Sequence, residues 1–176
     1  PIYPITKDFA PTVYPLQWNK GDGCIYFNTN DEDCRNIYRY SPQTKKFEKL
    51  NLETDVTSAF ALSENNPSIA AYIGQSNHNA GVAYLYDMKK KTSRLLADPM
   101  KPILDEIELG KTEPWNFTAS DGTTIQGMMC LPPNFDPNKK YPLIVYYYGG
   151  TTPTERGISN PYCAQLFASR DYVVYV

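Results

Sequence analysis

The sequence has few of the residues that enzymes use for proton transfer and metal binding. Its 176 residues include a single histidine, His78, and four cysteines: Cys24, Cys34, Cys130 and Cys163. No two cysteines have the Cys-x-x-Cys spacing of a zinc or redox site, so we expect neither a metal site nor a cofactor. We expect the cysteines to be free, packed thiols. The polar neighbours of His78 predict a solvated loop residue.

A strong charge of one sign and long apolar runs are also missing. The net charge is -2 and no basic stripe is present, so nucleic acid is not expected as a partner. There is no run of eighteen apolar residues, so we expect no membrane span. The last residues, 172–176, form an apolar strand pattern with no turn after it. We expect both ends to be cut ends of a longer protein, and the edge of this last strand to be unpaired and prone to self-association.

The abundant residues favour β structure. The sequence contains 15 tyrosines, 15 prolines and 10 glycines. Aromatic residues favour strands, and proline and glycine favour the turns between them.

Two stretches, 16–52 and 57–97, repeat one pattern of strands, polar loops and lysine-rich turns. Tyr38 and Tyr84 begin equivalent Tyr-x-Tyr triplets, and their separation of 46 residues matches the ~40–50-residue period of propeller blades. The predicted strands are 24–27, 36–40, 47–50, 59–62, 69–73, 82–86 and 94–96, with 28–35 predicted as a polar turn. Two blades cannot close a propeller, so further blades are expected before Pro1. Two independent meanders of an unrelated sandwich are the alternative.

The pattern predicts a pairing for the first cysteine. In the hairpin formed by 24–27 and 36–40, Cys24 is expected to face Tyr40 rather than Cys34. A disulfide between Cys24 and Cys34 is therefore not expected.

The second half follows a different plan. Residues 115–119 and 125–131 predict a hairpin around an Asp-Gly turn. The run 143–148 is apolar without alternation, which predicts a strand buried on both faces, as in an α/β sheet. A helix is predicted from Asn160-Pro161, with Tyr162, Leu166 and Phe167 as its apolar stripe, and a last strand over 171–176.

The run 115–176 resembles the opening of the catalytic domain of the prolyl oligopeptidase family, closest to its dipeptidyl-peptidase IV-like branch. The order and spacing of several motifs carry this resemblance: Ser120-Asp121-Gly122, Gly127, Leu131-Pro132-Pro133-Asn134-Phe135-Asp136, Lys140-Tyr141-Pro142-Leu143-Ile144-Val145 and Tyr148-Gly149-Gly150. It implies a mixed fold, with two β-propeller blades followed by the N-terminal part of an α/β-hydrolase sheet. The expected division is 1–98 for the C-terminal blades, 99–114 for a connector and 115–176 for the truncated catalytic domain.

The resemblance also implies an activity, a substrate class and site residues. It implies a serine peptidase, of the dipeptidyl or prolyl exopeptidase type, that acts on peptides by acyl-enzyme chemistry. Tyr148 matches the tyrosine that donates its hydroxyl to the oxyanion, and Gly149 and Gly150 match the substrate-binding loop beside it. A packed aromatic is the alternative role for Tyr148. The family often has proline after the paired glycines, whereas this chain has Thr151, which puts the shape of that loop in question.

The chain lacks the residues that would complete this chemistry. No Gly-x-Ser-x-Gly motif occurs, and His78 precedes the place where a triad histidine follows the serine in this fold. We therefore expect the serine, aspartate and histidine to lie outside these residues and the chain alone to be inactive. The alternatives are another α/β-hydrolase, such as an acyl aminopeptidase or esterase, and a non-enzymatic propeller module that binds a protein or glycan. The family resemblance is compatible with a homodimeric parent and with a periplasmic or secreted location, which the chain itself leaves unknown.

Overall fold

A computed structural model describes residues 2–147, 155–158 and 163–176 of the chain. The predicted site residues Tyr148, Gly149 and Gly150 lie outside the described residues. Among the helices described, none has the length and apolar character needed to cross a membrane.

The first 97 residues form two antiparallel meanders of four strands each. The strands are β1 (Thr12–Asn19), β2 (Cys24–Asp31), β3 (Cys34–Ser41), β4 (Lys46–Lys49), β5 (Val56–Leu62), β6 (Ile69–Gln75), β7 (Val82–Asp87) and β8 (Thr92–Ala97). Neighbouring strands pair in sequence order within each meander, and a parallel contact of Arg35 with Val56 connects β3 to β5. These are the two predicted blades.

The core of this part lies between the two blades. Alternate residues of their strands turn towards each other, as the period of two requires. The buried cluster comprises Cys24, Tyr26, Ile37, Leu50, Ala70, Tyr72 and Tyr86. Gln17 connects the blades as well, because its side-chain amide donates to the carbonyl of Phe60 at 2.7 Å and accepts from the amide of Leu62 at 3.1 Å.

Two details of the first hairpin differ from the prediction. β2 and β3 run on through most of 28–35, and only Glu32 and Asp33 remain between them, with Glu32 at a positive φ of 59°. The ladder pairs Ile25 with Tyr40, so the predicted pairing of Cys24 with Tyr40 is wrong by one residue. Asn28, Thr29 and Asn30 continue the ladder because their backbone groups pair as well as those of apolar residues. All four cysteines are free, as predicted, although Cys163 is exposed rather than packed.

The second half contains short elements around a small mixed sheet. They are α1 (Lys101–Leu104), β9 (Thr112–Pro114), β10 (Phe117–Thr118), β11 (Thr124–Ile125), β12 (Met128–Cys130), β13 (Leu143–Val145), α2 (Ala164–Ala168) and β14 (Val173–Tyr175). The sheet order is β13-β14-β12-β9, with β13 and β14 parallel, and β10 and β11 form the predicted hairpin. The predicted division at residues 98 and 114 stays a prediction.

Two expectations for this sheet are wrong. β14 lies between β13 and β12, so its edge is not open; within the described residues β13 has one neighbour instead. β13 is not buried on both faces, because Leu143 and Val145 are 57% and 55% exposed. Both differences have one physical reason: β14 inserts beside β12, which leaves β13 as an edge strand among the described residues.

Helix α2 also differs from the prediction. It begins at Ala164, and Asn160, Pro161 and Tyr162 lie outside the described residues. The helix packs on β14 and β12 through small residues, with Ala168 fully buried, while Leu166 and Phe167 remain 52% and 41% exposed. Small side chains allow the closest approach of helix and sheet, so the aromatic and leucine side chains are left outside.

Candidate functional site

The parallel strands β13 and β14 end at the same border of the sheet. Their pairing extends one residue past β13, since the Tyr146 amide donates to the Tyr175 carbonyl at 2.8 Å. In open α/β sheets, ligands bind outside the carboxyl ends of the strands. Tyr147 is 85% exposed at this border, and Tyr148 is the next residue in the sequence. The structure therefore describes the strand that leads to the predicted site residues, but not those residues.

Hydrogen bonds and a small buried cluster hold the carboxyl end of β14 in place. The amide and carbonyl of Val176 both pair with Met128, each at 2.9 Å, and continue the ladder between β14 and β12. Beneath it, Cys130, Val174 and Ala168 form a buried cluster. Close packing of this kind restricts the positions that the strand ends can take.

Residues 155–158, which follow Tyr148 in the chain, contact the blades. The Arg156 guanidinium donates from Nε and Nη2 to the two carboxylate oxygens of Asp33, at 2.8 and 2.9 Å. The Arg156 amide also donates to the Asp33 carbonyl at 2.8 Å. Arg156 therefore binds Asp33 twice: its side chain binds the carboxylate, and its backbone amide binds the carbonyl in the hairpin turn.

Three further charges surround this pair. Asp55 lies 3.9 Å from Nη1 of Arg156, and Arg35 pairs with Glu155. We name these five residues, Asp33, Arg35, Asp55, Glu155 and Arg156, the interface ion cluster. It joins the tip of the β2–β3 hairpin and the start of β5 to a distant segment of the chain, since Arg156 is 123 positions after Asp33.

The cluster is only partly open to solvent. The side chains of Arg156 and Asp33 are 26% and 22% exposed. Burial opposes the charge on Arg156, but the hydrogen bonds and attraction of Asp33 outweigh it and raise the pKa of the guanidinium. Burial, together with the charge of Asp33, raises the pKa of the neighbouring Cys34 thiol to about 11. Cys34 is therefore a neutral thiol at neutral pH and leaves the charge balance of the cluster unchanged.

Backbone contacts extend the attachment beyond the charged side chains. The Ile158 amide donates to the Ser76 carbonyl at 2.9 Å, at the end of β6. Gly157, between Arg156 and Ile158, is buried, and a Cβ at this position would overlap the side chain of Gln75. Glycine permits this close approach. The second blade therefore holds the segment as well as the first.

Helix α2 is connected to the chain that enters the sheet. The Gln165 side chain accepts from the Gly110 amide at 2.7 Å and donates to the Gly110 carbonyl at 2.9 Å. It also lies 3.2 Å from the Thr112 hydroxyl. A single glutamine thus satisfies both backbone groups of a buried glycine and places α2 beside β9.

A cavity lies at the end of the blades opposite to the interface ion cluster. It has a volume of about 410 Å³ and is lined by residues that include Gln17, Trp18, Glu64 and Pro67. Trp18 and Asn19 end β1, whereas the interface ion cluster lies at the opposite end of β2. The cavity is therefore separated from the interface ion cluster by about the length of a strand.

Other sequence expectations for the site can now be compared with the structure. His78 is exposed in the loop after β6, as predicted, with its ring 3.2 Å from the Ser76 hydroxyl. Sequence reasoning missed Asp33 and Arg156, because neither belongs to a motif and their contact spans most of the chain. Their one sequence signal is the Asp-Glu-Asp run at the hairpin tip, which is also typical of a solvated turn.

The fold defines a class: two propeller blades followed by the first strands of an α/β-hydrolase sheet. Comparison with known proteins agrees with it. The chain is 26% identical over 171 residues to dipeptidyl-peptidase 5 of Porphyromonas gingivalis, covering 97% of this chain and 25% of the relative. It is 27% identical over 178 residues to dipeptidyl peptidase 4 of Trichophyton rubrum, covering 98% and 22%.

A solved structure shows the same fold. Acylaminoacyl peptidase of Pyrococcus horikoshii matches with a TM-score of 0.76 at 20% identity, over 97% of this chain and 26% of that chain. No model of a protein family matches the sequence. The predicted fold class is thereby confirmed.

These findings confirm the resemblance to dipeptidyl-peptidase IV-like peptidases of the prolyl oligopeptidase family that the motifs predicted. Its homologues are peptidases. The chain spans about a quarter of the length of the curated relatives that it matches.

Proposed function

We propose that this chain is part of a serine peptidase that releases dipeptides from the amino terminus of peptides, with a preference of the prolyl type. The carboxyl ends of β13 and β14 carry the proposal, because Tyr148 directly follows this border of the sheet in sequence. The names of the dipeptidyl peptidase relatives support the exopeptidase assignment over an esterase.

In this proposal Tyr148 stabilises the tetrahedral intermediate. A serine from outside these residues attacks the peptide carbonyl, a histidine takes the serine proton, and an aspartate orients the histidine. Negative charge develops on the carbonyl oxygen, and the Tyr148 hydroxyl donates a hydrogen bond to it. Gly149 and Gly150 let the backbone pass close to the bound peptide. The chain by itself supplies this donor but no nucleophile, so we propose that it is inactive alone.

The test uses the full-length parent protein and the p-nitroanilides of Gly-Pro and acetyl-Ala. We expect cleavage of Gly-Pro-p-nitroanilide and labelling by a fluorophosphonate, which reports an activated serine. The Tyr148→Phe variant is expected to lose about 10²–10³-fold in kcat, with KM little changed, because the donor acts on charge that exists only in the transition state.

Tyr147→Phe is the matched control, since Tyr147 is 85% exposed and adjacent in sequence. It is expected to keep wild-type kcat. Preference for acetyl-Ala-p-nitroanilide would replace the dipeptidyl assignment with that of an acyl aminopeptidase. Equal effects of the two tyrosine variants would contradict the role of Tyr148. The 176-residue chain is expected to show neither labelling nor cleavage.

A further inference from the structure

The interface ion cluster attaches the segment after the proposed oxyanion residue to the blades. Arg156 is eight positions after Tyr148 in the sequence, and it contacts Asp33 through two side-chain hydrogen bonds and one backbone hydrogen bond. Ile158 adds a backbone bond to Ser76. The segment is therefore held at two points on two different blades.

The blade side of this attachment is rigid. β2 and β3 pair continuously from Ile25–Tyr40 to Asp31–Cys34, and the connecting turn contains only Glu32 and Asp33. The Asp31 carboxylate accepts from Asn36 at 3.2 Å and from the Tyr38 hydroxyl at 3.0 Å, on the strand that follows the turn. A short turn between two well-paired strands gives the Asp33 carboxylate little freedom to move.

The chemistry of the pair favours geometry over simple charge attraction. A guanidinium that binds both oxygens of one carboxylate fixes distance and orientation together, which an ammonium cannot do. Arg156 also lies near the second carboxylate, Asp55, so its charge is more than balanced. Partial burial of Arg156 and Asp33 weakens solvent screening relative to an exposed pair.

We propose that Asp33 and Arg156 are positioning residues. The pair fixes the start of the 155–158 segment on the blades and thereby helps to hold Tyr148 in position for catalysis. This inference rests on the proposed function and goes beyond it, since it makes the activity of the hydrolase part depend on docking against a blade hairpin. Neither residue touches the substrate in this proposal. Both act through the chain that connects them to Tyr148.

The experiment compares variants of the full-length enzyme with Gly-Pro-p-nitroanilide as substrate. We expect Asp33→Asn and Arg156→Gln each to lower kcat about ten-fold with KM within about two-fold, because a small displacement of a catalytic group is costly in rate. Arg156→Lys keeps the charge but loses the two-point contact, so its kcat should lie between those of the wild type and Arg156→Gln. The double variant should lose no more than Arg156→Gln alone, since both substitutions remove one shared contact.

Two further readouts separate positioning from a purely structural role. Hydrogen exchange of the peptide containing 155–158 should be faster in Asp33→Asn, because the amides of Arg156 and Ile158 lose a firm attachment. Lys91→Gln is the matched control: it removes the Lys91–Glu48 ion pair between the blades, far from this segment in the fold, and should leave both kcat and this exchange unchanged.

Wild-type kcat in both single variants would overturn the inference. So would losses that multiply in the double variant, or a kcat loss that Lys91→Gln reproduces. A full-length protein with no activity on any dipeptidyl substrate would contradict the proposed function instead. In that case the exchange experiment still decides the attachment, and unchanged exchange in Asp33→Asn would refute it.

Discussion

Lys45 and Lys91 occupy equivalent turns of the two blades, 46 residues apart, and both have left-handed backbone, with φ of 56° and 55°. Each lies immediately before the last strand of its meander, β4 or β8. They differ in one respect: Lys91 pairs with Glu48 of the other blade at 2.6 Å, and no ion pair of Lys45 is found within the described residues. The repeat is therefore a repeat of backbone conformation, with one copy adapted to join the blades.

Substitution of these two lysines by glycine should separate the two contributions. The left-handed conformation costs a residue other than glycine roughly 1–2 kcal/mol, and substitution by glycine removes this cost. The greater freedom of glycine in the unfolded chain cancels about 0.5–1 kcal/mol of that gain. We expect Lys45→Gly to raise the free energy of unfolding by about 0.5 kcal/mol. Lys91→Gly should gain less, because it also loses the pair with Glu48. Urea unfolding followed by fluorescence measures both, and a fall in stability for Lys45→Gly would contradict the argument.

Glu48 predicts a pH dependence of stability. Hydrogen bonds from Lys91 and then from Arg39 lower the pKa of its carboxyl group. A lowered folded-state pKa adds stability above the ordinary value of about 4.3, and this stability is lost as the pH falls through the lowered pKa. Because the side chain is 37% exposed, screening limits the effect, and Glu48→Gln should cost about 1 kcal/mol at pH 7.

The measurement is urea unfolding of wild type and Glu48→Gln at several pH values. The difference between them should be constant from about pH 6 to 8 and should shrink between about pH 5 and pH 3, as the carboxylate is protonated in both states. Added salt at pH 7 should also reduce it. A difference that persists unchanged at pH 3 would show that the charge of Glu48 is not its cause.

Two glycines of the second half should tolerate alanine unequally. A Cβ on Gly110 would overlap the backbone carbonyl of Leu131, which directly follows β12 and cannot move without shifting that strand. A Cβ on Gly127 would instead meet the tip of the Tyr175 side chain. We expect Gly110→Ala to cost about 3 kcal/mol and Gly127→Ala about 1 kcal/mol. Thermal unfolding of both variants tests the order, and a larger loss for Gly127→Ala would contradict it.

The cysteines should differ sharply in their rates of alkylation. Cys163 is exposed, Cys24 and Cys130 are buried, and burial with the nearby Asp33 raises the pKa of Cys34 to about 11. The thiolate is the reactive form, so at pH 8 iodoacetamide should modify Cys163 at least about ten-fold faster than the other three. Peptide mass spectrometry gives the rate at each position. Urea should equalise the four rates, and rapid modification of Cys34 without urea would disprove the order.

Much of the blade architecture could be predicted from local sequence. The 46-residue spacing of Tyr38 and Tyr84 holds in the structure: each pairs with the following strand, Tyr38 with Lys49 and Tyr84 with Leu95. Alternation of apolar residues identified the strands, because neighbouring side chains in a strand point to opposite faces. The ends of β2 and β3 were missed because polar residues there continue the ladder through their backbone.

The sequence by itself determined the elements whose signals lie within a few residues of one another: strands, turns, the blade repeat and the motif order of 115–176. The tertiary structure alone decided which distant parts meet. It placed β14 between β13 and β12, against sequence order, and it brought Arg156 onto Asp33 across 123 residues. Such contacts depend on how completed elements pack. The residues next to a charged turn residue or an apolar strand in sequence do not indicate which distant part of the chain it will contact.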